Sequence, residues 1–167
     1  MFIGIDLGTS SVKMILIDHN QNILATANSS LTVQSPKDGF SEQNPKEWID
    51  STIKCLETLK EKKPKEFSDT ISIGISGHMH GATLIDGNRK VVRPCILWND
   101  TRSHQECTEF ESQKIDVRSI SGNITMPGFT APKINWIKNN EVENFKKIFK
   151  VLLPKDYLRF FLPDEFF

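Results

Sequence analysis

Long apolar runs are missing from this sequence. The longest are four residues, Met14–Ile17 and Cys95–Trp98, where a membrane-spanning helix needs roughly 20, so no span is expected. The amino terminus, Met-Phe-Ile-Gly-Ile-Asp, has no basic stretch followed by an apolar one. No secretory signal is read there, and the expected compartment is the cytoplasm. An excess of one charge is missing too, with 21 Lys and Arg against 21 Asp and Glu. Only Lys60–Lys65 is dense in basic residues, and it reads as a solvated helix end and loop, so neither a nucleic-acid nor a membrane partner is expected. Cysteine is scarce. Cys55, Cys95 and Cys107 form no Cys-x-x-Cys pair, which argues against a zinc site or a disulfide framework and for free thiols in or near the core. What is present is the composition of a soluble globular protein, 38% hydrophobic and 25% charged over 167 residues. That length holds one domain, or one domain and part of another.

The pattern opens with strands. Phe2–Asp6, Val12–Asp18 and Ile23–Val33 are rich in β-branched and apolar residues, separated by a Gly/Thr/Ser turn and by His19-Asn20-Gln21-Asn22, which predicts an antiparallel meander. A helix is expected from Pro45 to about Lys62, because Trp48, Ile49, Ile53, Leu56 and Leu59 recur at helical spacing behind Asn44 as N-cap. Ile71–Ile75 and Ala82–Ile85 read as buried strands, and Asp86-Gly87-Asn88 as a hairpin turn into an extended Val91–Trp98. Helical patterns follow over about 102–112, 131–139, 141–147 and 155–161. The expected class is α/β, with a mixed sheet and flanking helices.

Three segments carry groups capable of chemistry. Asp6-Leu7-Gly8-Thr9-Ser10-Ser11-Val12-Lys13 lies between two expected strands. Its hydroxyls and backbone N–H groups suit phosphate oxygens, Asp6 suits a magnesium ion, and Lys13 adds positive charge; an ordinary hairpin containing a glycine has the same composition. No G-x-x-x-x-G-K-[ST] or G-x-G-x-x-G is present, so neither a P-loop nor a dinucleotide fingerprint applies. Gly77-His78-Met79-His80-Gly81 follows a strand, and His-x-His at a strand tip is a spacing that metal sites use. With His19 and His104 placed elsewhere, a pocket for a small hydroxylated molecule fits better than zinc, beside the plainer reading of a loop histidine. Trp98-Asn99-Asp100-Thr101-Arg102 offers an indole face, an amide, a carboxylate and a guanidinium, a set suited to sugars. The plainer alternative is a helix N-cap at Asn99 or Asp100 with Arg102 in a surface ion pair. No strand–turn nucleophile elbow accompanies any serine, which sets aside a Ser-His-Asp or Cys-His nucleophile.

Together these segments resemble the N-terminal part of the FGGY carbohydrate kinases, and within that family they are most similar to the xylulose kinases. The resemblance rests on Ile-Gly-Ile-Asp6-Leu-Gly-Thr-Ser-Ser-Val-Lys13, on Phe40-Ser-Glu-Gln-Asn-Pro-Lys-Glu-Trp48, on Met79-His80-Gly81, and on Ile96-Leu-Trp-Asn-Asp-Thr-Arg102. Gly128-Phe-Thr-Ala-Pro-Lys-Ile-Asn-Trp-Ile-Lys-Asn-Asn140 is similar to the first FGGY signature, and Val151-Leu-Leu-Pro-Lys-Asp-Tyr-Leu-Arg159 is a further match. Two departures stand out: His78 where the family usually has Gln, and Asn44 where it has Asp.

The resemblance implies a ribonuclease-H-like domain of the actin-like ATPase superfamily, incomplete at 167 residues, whose C-terminal ATP-binding partner domain is absent. It implies ATP and Mg²⁺ as cofactors and D-xylulose or a related ketopentose as substrate, phosphorylated to D-xylulose 5-phosphate, and it leaves a homodimer of the parent enzyme open. Asp6 would position Mg²⁺ and the transferring phosphoryl group. Gly8, Thr9, Ser10, Ser11 and Lys13 would approach the phosphates. Met79 and His80 would contact the ketose, with Trp98, Asn99 and Asp100 lining the site, while Lys133 and Trp136 shape the domain. Glycerol kinases carry Arg-Glu at the Met-His position, so a ketopentose is favoured over glycerol. The family's catalytic Asp is expected beyond residue 167, and no carboxylate here substitutes for it. The alternatives are an inactive truncated fragment, a kinase for ribulose, gluconate or glycerol, and a nucleotide-binding assembly protein of the actin-like superfamily.

Overall fold

The structure, a computed structural model, describes residues 1–112 and 116–162. In chain order its elements are β1 (Phe2–Leu7), β2 (Ser11–Ile17), β3 (Ile23–Ser30), β4 (Glu42–Gln43), α1 (Pro45–Lys62), α2 (Pro64–Ser68), β5 (Ser72–Gly77) and β6 (Thr83–Ile85). They continue as β7 (Cys95–Ile96), α3 (His104–Glu111), α4 (Val117–Ser121), α5 (Thr130–Asn140), α6 (Val142–Lys147), β8 (Lys150–Leu152) and α7 (Pro154–Phe161). The chain divides into two units. The first comprises residues 1–33, 45–78 and the stretch from Pro154 onward; the second comprises 34–44 and 79–153.

The first unit is built on the expected meander. Its sheet has the order β3-β2-β1-β5, with the first three strands antiparallel and β5 parallel to β1. Strand alternation sends Ile3, Ile5, Leu7, Val12, Met14 and Leu16 to one face, all buried. Helix α1 covers that face because Trp48, Thr52, Cys55, Leu56 and Leu59 share one side of it. Helix α7 packs on β5 and α1, with the Trp48 and Tyr157 rings edge to face at 6.0 Å. The turn after β2 is closed by Asp18, whose Oδ1 accepts the N–H groups of Asn20 and Asn22, while Gln21 takes a φ of 65°. Glu47, in the first turn of α1, accepts the N–H of Thr32.

The second unit pairs short strands with helices. β4 pairs with β7 and β6 with β8, all antiparallel, and the Ala82–Ile96 bridge joins the two pairs. The expected extended run from Val91 to Trp98 is a strand only at Cys95–Ile96, although Val91 bridges to Ile85 across the turn at Asp86. Leu84, Ile96 and Ile137 form the buried centre, and Val92, Ile134, Trp136, Phe145 and Ile148 pack around it. All three cysteines are free and buried. Among the described residues no helix is long and apolar enough to cross a membrane.

Candidate functional site

The proposed site residues fall into two groups, one on each unit. On the first unit, Asp6 lies one residue before the end of β1, opposite Lys13 on β2 and Ser76 on β5. Alternation puts all three on the face of the sheet away from α1. There they line an open depression of about 550 Å³, together with Gly4, Ile15 and Gly74. The Ser76 hydroxyl donates to Asp6 Oδ1 at 3.1 Å. Gly4 leaves room for the Ile15 side chain: a Cβ there would lie 3.1 Å from it, so Ile15 would have to shift by a few tenths of an ångström. The hairpin from Leu7 to Val12 is tied by the Gly8 N–H to the Ser11 carbonyl at 3.0 Å, and the Ser10 carbonyl accepts the Leu31 N–H. Gly8 therefore spends its amide on closing the turn. Ser10 and Lys13 are exposed, and Thr9 and Ser11 are partly so.

A single carboxylate with a hydroxyl beside it fits Mg²⁺, which keeps several waters and shares substrate phosphates rather than filling an all-protein cage. Among the described residues no group of three or more His, Cys, Asp and Glu side chains could hold a metal ion.

On the second unit, Met79 and His80 sit in the turn after β5, and Trp98 and Asn99 in the turn after β7. Met79 is 63% exposed and Trp98 49%, and Asn99 is exposed. The His-x-His expectation does not hold geometrically. β5 ends at Gly77, and His80 has a φ of 61°, so strand alternation no longer relates the two rings. The His78 ring lies edge to face on Trp48, and the His80 ring lies on Phe129 at 4.6 Å. Burial first, and the charge of Lys133 second, push the His80 imidazole below its ordinary range. A neutral imidazole offers one donor and one acceptor, a pairing that suits a sugar hydroxyl.

Asp100 is placed differently from its neighbours. It is 1% exposed, and both of its oxygens are engaged. Oδ2 accepts the Ser41 N–H at 2.6 Å and Arg102 Nη2 at 2.7 Å; Oδ1 accepts Arg102 N and Nε, both at 2.9 Å. Arg102 is correspondingly buried. Its guanidinium also meets Glu42 at 2.6 Å and lies over the rings of Phe40 and Trp136, at 3.8 and 4.9 Å from their centroids. Glu42 pairs in turn with Arg93, and Arg93 with Glu141. The expected alternative of an N-cap with a surface ion pair is therefore overturned. Helix α3 begins at His104 behind Ser103, and the Arg102 ion pair is internal.

The resemblance assigns Lys133 a part in shaping the domain, but sequence reasoning does not say which turns it and Gly128 hold. Lys133, on α5, is fully buried and donates to the carbonyls of His80 at 2.9 Å and Gly128 at 2.7 Å. Burial lowers its pKa from 10.5 to about 8, against the pull of Cys95 and Asp100. Thr130 Oγ1 donates to the same His80 carbonyl at 3.2 Å. Gly128 packs against the Trp98 carbonyl so closely that a Cβ there would sit 2.4 Å from it. The available signal is the position of Gly128 and Lys133 within the segment similar to the first FGGY signature.

Comparison with known proteins agrees with this architecture. Residues 1–167 match the FGGY family of carbohydrate kinases, N-terminal domain. The chain is 48% identical over 166 residues to the xylulose kinase of Escherichia coli K12, covering 99% of this chain and 34% of that protein. It is 43% identical over 159 residues to the xylulose kinase of Bacillus subtilis, covering 95% and 32%. The crystal structure of a xyloylose kinase from Brucella ovis superposes with a TM-score of 0.91 at 53% identity, over 94% of this chain and 33% of that one. The xylulose kinase from Rhodospirillum rubrum gives 0.87 at 29% identity, over 94% and 33%. The chain thus spans about a third of the length of the relatives it matches.

Proposed function

This chain belongs to the FGGY family of carbohydrate kinases, with their ribonuclease-H-like, actin-like ATPase fold, and on that premise we propose that it supplies the sugar-binding part and the first phosphate motif of an ATP-dependent D-xylulose kinase. The reaction transfers a phosphoryl group to a sugar hydroxyl, which demands alignment and charge stabilisation more than covalent chemistry. The observation that carries the sugar reading is the convergence of Met79–His80 and Trp98–Asn99 on the Gly128–Lys133 segment of the FGGY signature. Met79 and the Trp98 indole provide apolar surface for a sugar face, and Asn99 and neutral His80 provide hydroxyl partners. Asp100 contributes from behind, fixing the turn that carries Trp98 and Asn99.

Asp6 is the residue that would hold Mg²⁺, directly or through water; the ion supplies neutralisation of phosphate charge when bound. Lys13 and the hydroxyls of Thr9, Ser10 and Ser11 approach the phosphates. The general base is assigned to no residue of this chain, and the ATP-binding domain lies outside it. The proposed location is the cytoplasm.

Titration of the 167-residue chain with D-xylulose, ribulose, gluconate and glycerol tests the reading. D-xylulose is expected to bind most tightly and to shift the Met79 and His80 amide resonances. A preference for glycerol overturns the substrate assignment. In a coupled ADP-release assay the same chain is expected to show no sugar-dependent turnover, and clear turnover overturns the division of labour.

A further inference from the structure

A buried ammonium group costs solvation that an apolar side chain of similar volume would not, so packing alone gives no reason for a lysine at position 133. Its two bonded partners are informative. One is the carbonyl of His80, a residue held with φ at 61°, a conformation that L-residues with side chains rarely adopt without restraint. The other is the carbonyl of Gly128, whose own backbone presses on Trp98. Thr130 adds a second donor to His80, and Phe129 packs on its ring.

We propose that Lys133 is a positioning residue of the sugar site: by bridging the His80 and Gly128 carbonyls it holds His80 in the left-handed conformation and so sets how Met79 and His80 are presented to the sugar. The proposal rests on the reading of Met79–His80 as sugar contacts, but the clamp itself is a separate structural claim. Both hydrogen bonds of its ammonium go to backbone carbonyls, so it acts through His80. The charged and titratable groups around it are His80 itself, Cys95, Asp100 and Arg102.

The experiment compares the wild-type chain with Lys133→Met by NMR. A strong intraresidue amide–Hα cross-peak at His80 reports its positive φ, and D-xylulose titration reports affinity. Lys133→Met is expected to lose that cross-peak and to weaken D-xylulose binding about tenfold, while amide shifts in β1–β3 and α1 stay in place. If Lys133→Met keeps the cross-peak and binds within about twofold of wild type, the proposal is overturned. Should that variant not fold, Lys133→Gln is measured in its place, because it keeps a donor in the pocket but ends one bond short of the two carbonyls. Loss of the His80 cross-peak and binding weakened at least about threefold are expected; retention of both the cross-peak and the binding overturns the clamp. A wild-type chain that does not bind D-xylulose sinks the sugar reading alone, because the His80 cross-peak still judges the clamp.

Discussion

Replacing Asp100 by asparagine removes one charge from the internal network and leaves the side chain's shape intact. In the wild type the carboxylate accepts four hydrogen bonds, one from Ser41 and three from Arg102. An amide there offers one acceptor oxygen and turns an NH₂ group towards donors. Breaking a buried ion pair by removing one partner costs about 3–5 kcal/mol. Arg102 keeps Glu42 as a partner, which places the expected loss near the lower end, about 3 kcal/mol. At about 2–4 °C per kcal/mol for a chain of this size, the melting midpoint should fall by about 6–12 °C. Thermal melts and urea titrations measure this, with D-xylulose affinity determined well below both midpoints. Affinity should change far less than stability, since the Asp100 oxygens are occupied within the protein. The double variant Asp100→Asn, Arg102→Met should recover at least about half of the loss, because no unpaired charge then remains beneath Phe40 and Trp136. An Asp100→Asn chain that melts like wild type yet no longer binds D-xylulose would refute the reasoning, because it would make Asp100 a ligand to the sugar.

The remaining predictions concern other groups. Lys133 has a folded pKa of about 8 against 10.5 unfolded, so between those values the unfolded chain holds a proton that the native chain has released. Its contribution to stability therefore rises with pH across that window, by about 3 kcal/mol in all, and Lys133→Met should lack this rise. The buried thiols oppose it: Cys95 is pushed up to about 12 by burial, so stability is lost as pH climbs past the ordinary thiol range. The difference between variant and wild-type pH profiles isolates the lysine. Gly128→Ala must displace the Trp98 carbonyl and should cost about 1–3 kcal/mol in urea unfolding, with weaker D-xylulose binding. In a complete FGGY kinase carrying this domain, Asp6→Ala should depress turnover far more than sugar affinity, as a kcat loss at nearly constant KM records. All three thiols should resist a disulfide reagent in the native chain and react on unfolding, since each is buried and has its pKa raised by desolvation.

What the sequence disclosed follows from how local each determinant is. β1, β2 and β3 alternate every second residue and turn through Gly8–Ser10 and Asp18–Asn22, so pattern and turn chemistry specify them together. Helix α1 announces itself by the spacing of Trp48, Leu56 and Leu59. By contrast β4 and β7 are two residues each, too short to carry a period, and β8 hides inside a segment read only as a motif. The placing of Met79 and His80 beyond a strand end was visible from the flanking Gly77 and Gly81, whereas Trp98 was expected at the end of an extended run and lies in a turn. Their scaffolding was not visible. A surface ion pair was a natural alternative for Arg102 because its partner Glu42 reaches it only through β4–β7 pairing, and Lys133 was read only as shaping the domain because one of the carbonyls that hold it, that of His80, lies 53 residues away. The left-handed turn at His80 had no glycine to mark it.

The ionic network also bears on the order in which this chain assembles. Ser41 waits for Asp100, 59 residues later, and Glu42 waits for Arg93, 51 residues later. The β1–β2 and β2–β3 hairpins close across a few residues each. During synthesis the hairpins can therefore form as soon as they emerge, while Glu42 remains an unneutralised carboxylate until both arginines have left the ribosome. The turn bearing Trp98 and Asn99 is then a late product of folding, and variants of Asp100 or Arg102 should lengthen the time for which its apolar neighbours stay open to chaperones.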